Sequence, residues 1–107
     1  MKQFISEKSF PHEHFTTTKT VGNMKDESVR KSFLISLKLN PAKLVCADQI
    51  HSSNVKIVGA SDRDTFVGGC DGLITADKEI ILGIFTADCV PLLVSYGNGE
   101  LKAAIHI

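Results

Sequence analysis

The 107-residue sequence predicts a mixed fold of the α/β (α+β) class, with β-sheets packed against helical structure and the chain stopping after a terminal strand. Three observations carry that prediction. Short apolar runs rich in β-branched and aromatic residues recur along the chain, the strongest at 80–85 and 91–95, and turn residues bound each one. A single stretch has helical periodicity, with Val29, Phe33 and Leu37 recurring every four residues and Leu34 widening the stripe. Gly97, Asn98 and Gly99 mark a hairpin turn between 91–95 and a returning strand at 101–105.

In chain order, residues 1–12 read as an irregular or short extended segment ending at Pro11, and the threonine-rich 13–18 as a strand broken by a turn at 21–24. Asp26 is placed to cap the helix, and Asn40-Pro41 to end it, because the residue before a proline is pushed out of the helical region. Residues 43–47 form the next expected strand, 48–54 a polar turn, and 55–58 an alternating, half-buried strand. Charged residues and glycines make 61–70 a loop, followed by a strand at 71–75, a turn at 76–79 and the strand 80–85. Residues 86–89 then turn into the strand at 91–95, and the last strand carries His106 at its end. Such a final strand is expected to expose an unpaired sheet edge unless another segment covers it.

This length suits one domain, 1–107, with one core. Hydrophobic residues make up 43% and charged residues 22%, which fits a globular chain and not a disordered one. Twelve basic and twelve acidic side chains cancel without forming blocks, which argues against a nucleic-acid or anionic-membrane partner. No apolar run reaches the length of a membrane span, and no secretory signal opens the chain. Three cysteines, without CxxC spacing, imply no disulfide framework and a reducing, cytoplasmic setting.

Three side chains at expected strand ends or turns are candidate metal ligands: His51, Cys89 and His106. Two imidazoles and a thiolate form a set that zinc accepts while keeping a fourth position open for water or substrate. Their separation in sequence is not that of a zinc finger, and a buried structural cysteine with two loop histidines is the alternative. Asp88 stands beside Cys89, where it is a candidate catalytic group that orients water or holds a ligand imidazole; its alternative role is to cap the turn. Gln49 lies two residues before His51, so an extended backbone would point both side chains the same way and let Gln49 hold ligand or substrate. Asp71, before Gly72, reads as a structural turn residue, Cys46 as core, and Cys70 as an exposed loop thiol. His12 and His14 form an isolated H-x-H pair best read as a solvated strand end. A Cys89–His51 nucleophile–base pair is the metal-free competitor, a cysteine hydrolase.

Four segments occur in one order: Gln49-Ile50-His51, Asp71-Gly72-Leu73-Ile74-Thr75, Thr86-Ala87-Asp88-Cys89-Val90-Pro91 and Ala103-Ala104-Ile105-His106. That set resembles the family long labelled polyphenol oxidase or laccase-domain proteins, now regarded as purine nucleoside phosphorylases. The resemblance implies a metal site formed by His51, Cys89 and His106, with zinc the usual metal and copper the alternative behind the oxidase label. It also implies phosphorolysis of adenosine, inosine, guanosine or methylthioadenosine, and deamination of adenosine. The implied partners are a purine nucleoside and phosphate.

The sequence also departs from this pattern. Family members are roughly twice as long, by their usual domain size, and continue past the second histidine where only Ile107 follows here. Lys19 stands where the family often has an arginine, so an anion contact there would lose the planar fork of a guanidinium. The expectation is therefore the N-terminal part of a zinc-dependent phosphorylase-like protein. The alternative is an inactive fragment, or one half of a split protein that needs a complementing C-terminal half or self-association through an exposed strand edge.

Overall fold

The computed structural model describes residues 4–87 and 90–107. They divide into two compact units, one up to Pro41 and one from Ala42 onward.

In the first unit, strand β1 (Phe4–Ile5) pairs antiparallel with β2 (Thr16–Thr17). Phe15 and Phe33 lie 5.7 Å apart edge to face, and Phe4 joins both rings. His14 uses both ring nitrogens locally: Nδ1 donates to the His12 carbonyl at 2.9 Å and Nε2 accepts from the Glu7 amide at 2.9 Å.

Helix α1 (Glu27–Ser36) starts at Asp26, whose carboxylate accepts from the amides of Ser28 and Val29. Phe33 and Leu34 are buried, and so is Arg30, whose guanidinium closes the preceding turn on the Met24 and Lys25 carbonyls. The helix ends earlier than Asn40-Pro41 would require. Lys38 takes a left-handed φ of 62°, its amide bonds the Ile35 carbonyl, and the Leu39 amide reaches back to Leu34. That paired closure is the Schellman motif, and it stops the helix with backbone hydrogen bonds before the proline can act.

The second unit holds two sheets. Strand β3 (Leu44–Asp48) lies between β5 (Thr65–Gly68) and β7 (Ile81–Gly83), all parallel. Strands β4 (Val55–Ile57), β6 (Gly72–Thr75), β9 (Leu101–His106) and β8 (Pro91–Tyr96) form the other sheet in that spatial order. A strand flanked by parallel neighbours is buried on both faces, which explains the unbroken apolar run of β3. Val45, Ala47, Val58, Cys70, Leu73 and Ile80 make the core, with Val67, Leu82 and Ile84 packed on it. Each buried Val, Leu or Ile contributes about 1.5–3 kcal/mol.

Residues 65–68, expected within a loop, form β5, an edge strand that needs only one pairing partner. Cys70 is fully buried in the core, not exposed. All three residues of β4 are exposed, where a half-buried strand was expected. The final strand β9 is no edge: β6 and β8 pair with it on its two sides, leaving β4 and β8 as the edges. Its outer face, continued over β4 and β8, is apolar. Val55, Ile57, Leu92, Val94 and Tyr96 are exposed there, in register with Ile74, Ala103, Leu101 and Ile105.

The chain alternates between the two sheets. It crosses from the first to the second three times, through 49–54, 69–71 and 84–90. The registers Asp48–Gly68 and Cys46–Gly83 align the carboxyl ends of β3, β5 and β7. Val55–Gly72, Gly72–Ile105 and Pro91–His106 align the starts of β4, β6 and β8 with the end of β9. The described ends of all three crossings therefore lie at one end of the unit, beyond the carboxyl ends of the parallel strands, where open α/β sheets place their ligand sites.

Candidate functional site

The first crossing carries Gln49 and His51, the second Asp71, and His106 closes β9 beside them. Asp71 is the hub. Its Oδ1 accepts from the Ile50 amide at 3.0 Å, the Ser52 amide at 2.8 Å and the Ser52 hydroxyl at 3.0 Å. Its Oδ2 accepts from the His51 amide at 3.1 Å and from His106 Nδ1 at 2.8 Å. Three successive amides can converge on one carboxylate because His51 adopts a left-handed φ of 60°, curling the backbone into an anion-binding nest.

Asp71 is only 1% exposed, and burial alone would push its carboxyl up. Hydrogen bonds from the Ser52 amide, His106, the Ile50 amide and the Ser52 hydroxyl outweigh that and hold it well below the usual carboxylate range. An ionised carboxylate can only accept, so His106 Nδ1 carries a proton, and Nε2 is the nitrogen left to bind something else. The His51 and His106 rings stand 5.5 Å apart between centroids, at 63°. His106 is buried, whereas His51 is exposed.

The left-handed residue at His51 also breaks the extended alternation expected between Gln49 and His51. The Gln49 amide engages the chain itself: Nε2 donates to the Phe85 carbonyl at 2.7 Å, and Oε1 accepts from the Phe85 amide at 2.7 Å. This pair copies one rung of a β-ladder and fastens the start of the third crossing to the first. Both polar atoms of the side chain are thereby engaged by the Phe85 backbone.

Asp88 and Cys89, expected as a catalytic pair with Cys89 also a ligand, lie outside the described residues. Among the described residues, no three His, Cys, Asp or Glu side chains gather as a metal-binding group; the two imidazoles meet without a third such donor. Sequence reasoning missed the weight of Asp71 and the part of Ser52. The available signal was an acid directly before the apolar run Gly72-Leu73-Ile74, where a carboxylate is buried and must be satisfied.

A family model described as multi-copper polyphenol oxidoreductase laccase matches residues 6–107. The chain belongs to that laccase-like family. A purine nucleoside phosphorylase of Streptomyces coelicolor is 37% identical over 71 residues, covering 66% of this chain and 29% of that protein. One from Rickettsia conorii is 32% identical over 80 residues, covering 75% of this chain and 32% of that protein. Among solved structures, YlmD of Geobacillus stearothermophilus matches with a TM-score of 0.71 at 29% identity, over 80% of this chain and 35% of its own. YfiH of Bacillus licheniformis matches with a TM-score of 0.68 at 30% identity, over 74% and 32%. The chain thus spans about three-tenths of the length of the curated relatives it matches.

Proposed function

We propose that this chain carries the metal-binding part of a purine nucleoside phosphorylase, with His51, Cys89 and His106 as ligands of zinc and a purine nucleoside and phosphate as substrates. The observation that carries the reading is the meeting of His51 and His106 over Asp71, with Gln49 bonded to Phe85 and His106 paired with Pro91, the described residues that flank Cys89 in sequence. Relatives named purine nucleoside phosphorylase support the substrate class.

The donor set is one that zinc accepts while keeping a fourth position for water or substrate. It consists of two imidazoles and one thiolate. Zinc, when bound, supplies a Lewis acid that stabilises developing negative charge. In phosphorolysis a phosphate oxygen bonds to the anomeric carbon of the sugar as the bond from that carbon to the purine nitrogen breaks, and the departing base takes up a proton. Asp88 is the acid we assign to water or proton handling. Gln49 contributes indirectly, by holding Phe85 and with it the start of the Cys89 crossing.

The test is phosphate-dependent release of hypoxanthine from inosine by the zinc-loaded chain, beside the same chain carrying Cys89→Ala. Release that requires phosphate and disappears in the variant supports the reading. Release unaffected by Cys89→Ala removes the sulfur from the mechanism.

The apolar outer face of the β4-β6-β9-β8 sheet favours a second proposal, that two copies of this chain associate through it. Exposed patches of this kind mark protein contacts. Sedimentation of the isolated chain tests it: a stable monomer with no tendency to associate would count against it.

A further inference from the structure

We infer that Asp71 is a positioning residue that sets the two imidazoles as one unit, fixing His51 through its backbone and His106 through its ring so that His106 binds through Nε2. The ligand role of the imidazoles rests on the function proposed above, but the positioning is carried by the hydrogen bonds themselves.

Five donors converge on the two oxygens of this side chain, and they come from two different elements. Oδ2 serves both histidines at once, the His51 amide and His106 Nδ1. Any displacement of the carboxylate therefore moves both ligands together. Its own backbone is pinned equally well: the Asp71 amide donates to Asn54 at 3.0 Å, and its carbonyl accepts from the His106 amide at 2.7 Å. The following residue is glycine for a steric reason, since a Cβ at Gly72 would lie 3.0 Å from Val55 Cγ2 and 3.2 Å from Ile105 Cγ1. The carboxylate thus ties the crossing 49–54 to the end of β9, from a backbone fixed beside the start of β6. A ligand imidazole commonly gives its second nitrogen to a carboxylate in this way, which fixes its tautomer and raises its basicity. What is particular here is that one carboxylate also shapes the backbone carrying the second imidazole.

Asp71→Asn is the informative substitution. An amide offers one accepting oxygen where the carboxylate offers two, so the five donors cannot all be kept. Two readouts are needed. Long-range 15N–1H NMR on the metal-free full chain reads the tautomer of His106: a proton on Nδ1 is expected in the parent, with a shift toward Nε2–H in Asp71→Asn. Zinc affinity, by competition with a chelator, is expected to fall about 10–100-fold in the variant. Ser52→Ala removes one donor and leaves the His106 bond, so it should keep the parent tautomer.

A parent chain with the His106 proton on Nε2 overturns the inference, whether or not Asp71→Asn folds. So does a folded Asp71→Asn chain with the parent tautomer and affinity within twofold. A parent chain with the Nδ1 proton that binds no zinc leaves the positioning intact and refutes the metal reading instead.

Discussion

His106 Nδ1 lies 2.8 Å from Asp71 Oδ2, with the two side chains 7% and 2% exposed. The last residue of β9 is thereby tied to the residue that precedes β6, at the end of the unit that holds the carboxyl ends of β3, β5 and β7. Topology brings the histidines near each other, and one buried carboxylate sets their geometry.

The first prediction is a pH dependence. The Asp71 carboxyl has a lowered folded-state value because its hydrogen bonds outweigh its burial. Its stabilising contribution is therefore fully present above the ordinary unfolded value of about 3.9 and is lost as pH falls through the lowered one. Urea unfolding across the acid range should show the parent losing stability below about pH 4, with a flatter profile in Asp71→Asn. Parallel profiles would mean that Asp71 titrates alike in the folded and unfolded chains.

Gly72→Ala should destabilise the protein by about 1–3 kcal/mol, because the added methyl meets Val55 and Ile105 at 3.0 and 3.2 Å. Val55 is partly exposed and able to give way, so adding Val55→Ala should recover part of the loss. Chemical denaturation of the single and double variants measures both effects; no recovery would place the strain elsewhere.

Lys38→Gly should stabilise the first unit by about 1 kcal/mol, since glycine accepts the left-handed conformation at no steric cost. A rise in thermal midpoint with unchanged helix content is the expected result. A fall would show that the lysine side chain contributes more than its backbone costs.

Gln49→Ala removes both hydrogen bonds to Phe85. At about 0.5–1.5 kcal/mol for each bond, the loss should be about 1–3 kcal/mol. Amide exchange at Phe85 should speed up more than exchange in β3. Equal acceleration throughout would mean that the variant only lowers global stability.

The thiols separate by burial. Cys46 and Cys70 are buried, and burial pushes the Cys70 thiol up, out of reach of mild reagents. Of three cysteines, Cys89 should be the one that reacts with Ellman's reagent in the native protein, and zinc should protect it. Labelling of Cys46 or Cys70 at a comparable rate would contradict the buried core.

Much of this fold was legible in local pattern. The helix register, the Asp26 cap and the hairpin at Gly97–Asn98–Gly99 follow from side-chain spacing and turn chemistry, and the structure has them. Strand β5 was hidden because Phe66 and Val67 stand between charged residues and glycines, and a short edge strand needs little apolar signal. The helix end was misjudged because the Schellman closure uses backbone groups, which leave no mark on residue type when the left-handed position is lysine. The position of β9 inside its sheet is a matter of non-local pairing. Its neighbours β6 and β8 come earlier in the chain, so sequence order could not show that both flank it. At the site, His51 and His106 were legible as residue types, and their proximity is found in the structure. The five-bond hub at Asp71 was not legible, since a buried carboxylate and a turn aspartate look the same in a single sequence.

The most direct test of the central claim is X-ray absorption at the zinc edge of the metal-loaded chain. Zinc held by His51, Cys89 and His106 should show one sulfur at about 2.3 Å and two imidazole nitrogens at about 2.0–2.1 Å, with the sulfur lost in Cys89→Ala. A zinc shell without sulfur, or with a sulfur that survives that substitution, would contradict it.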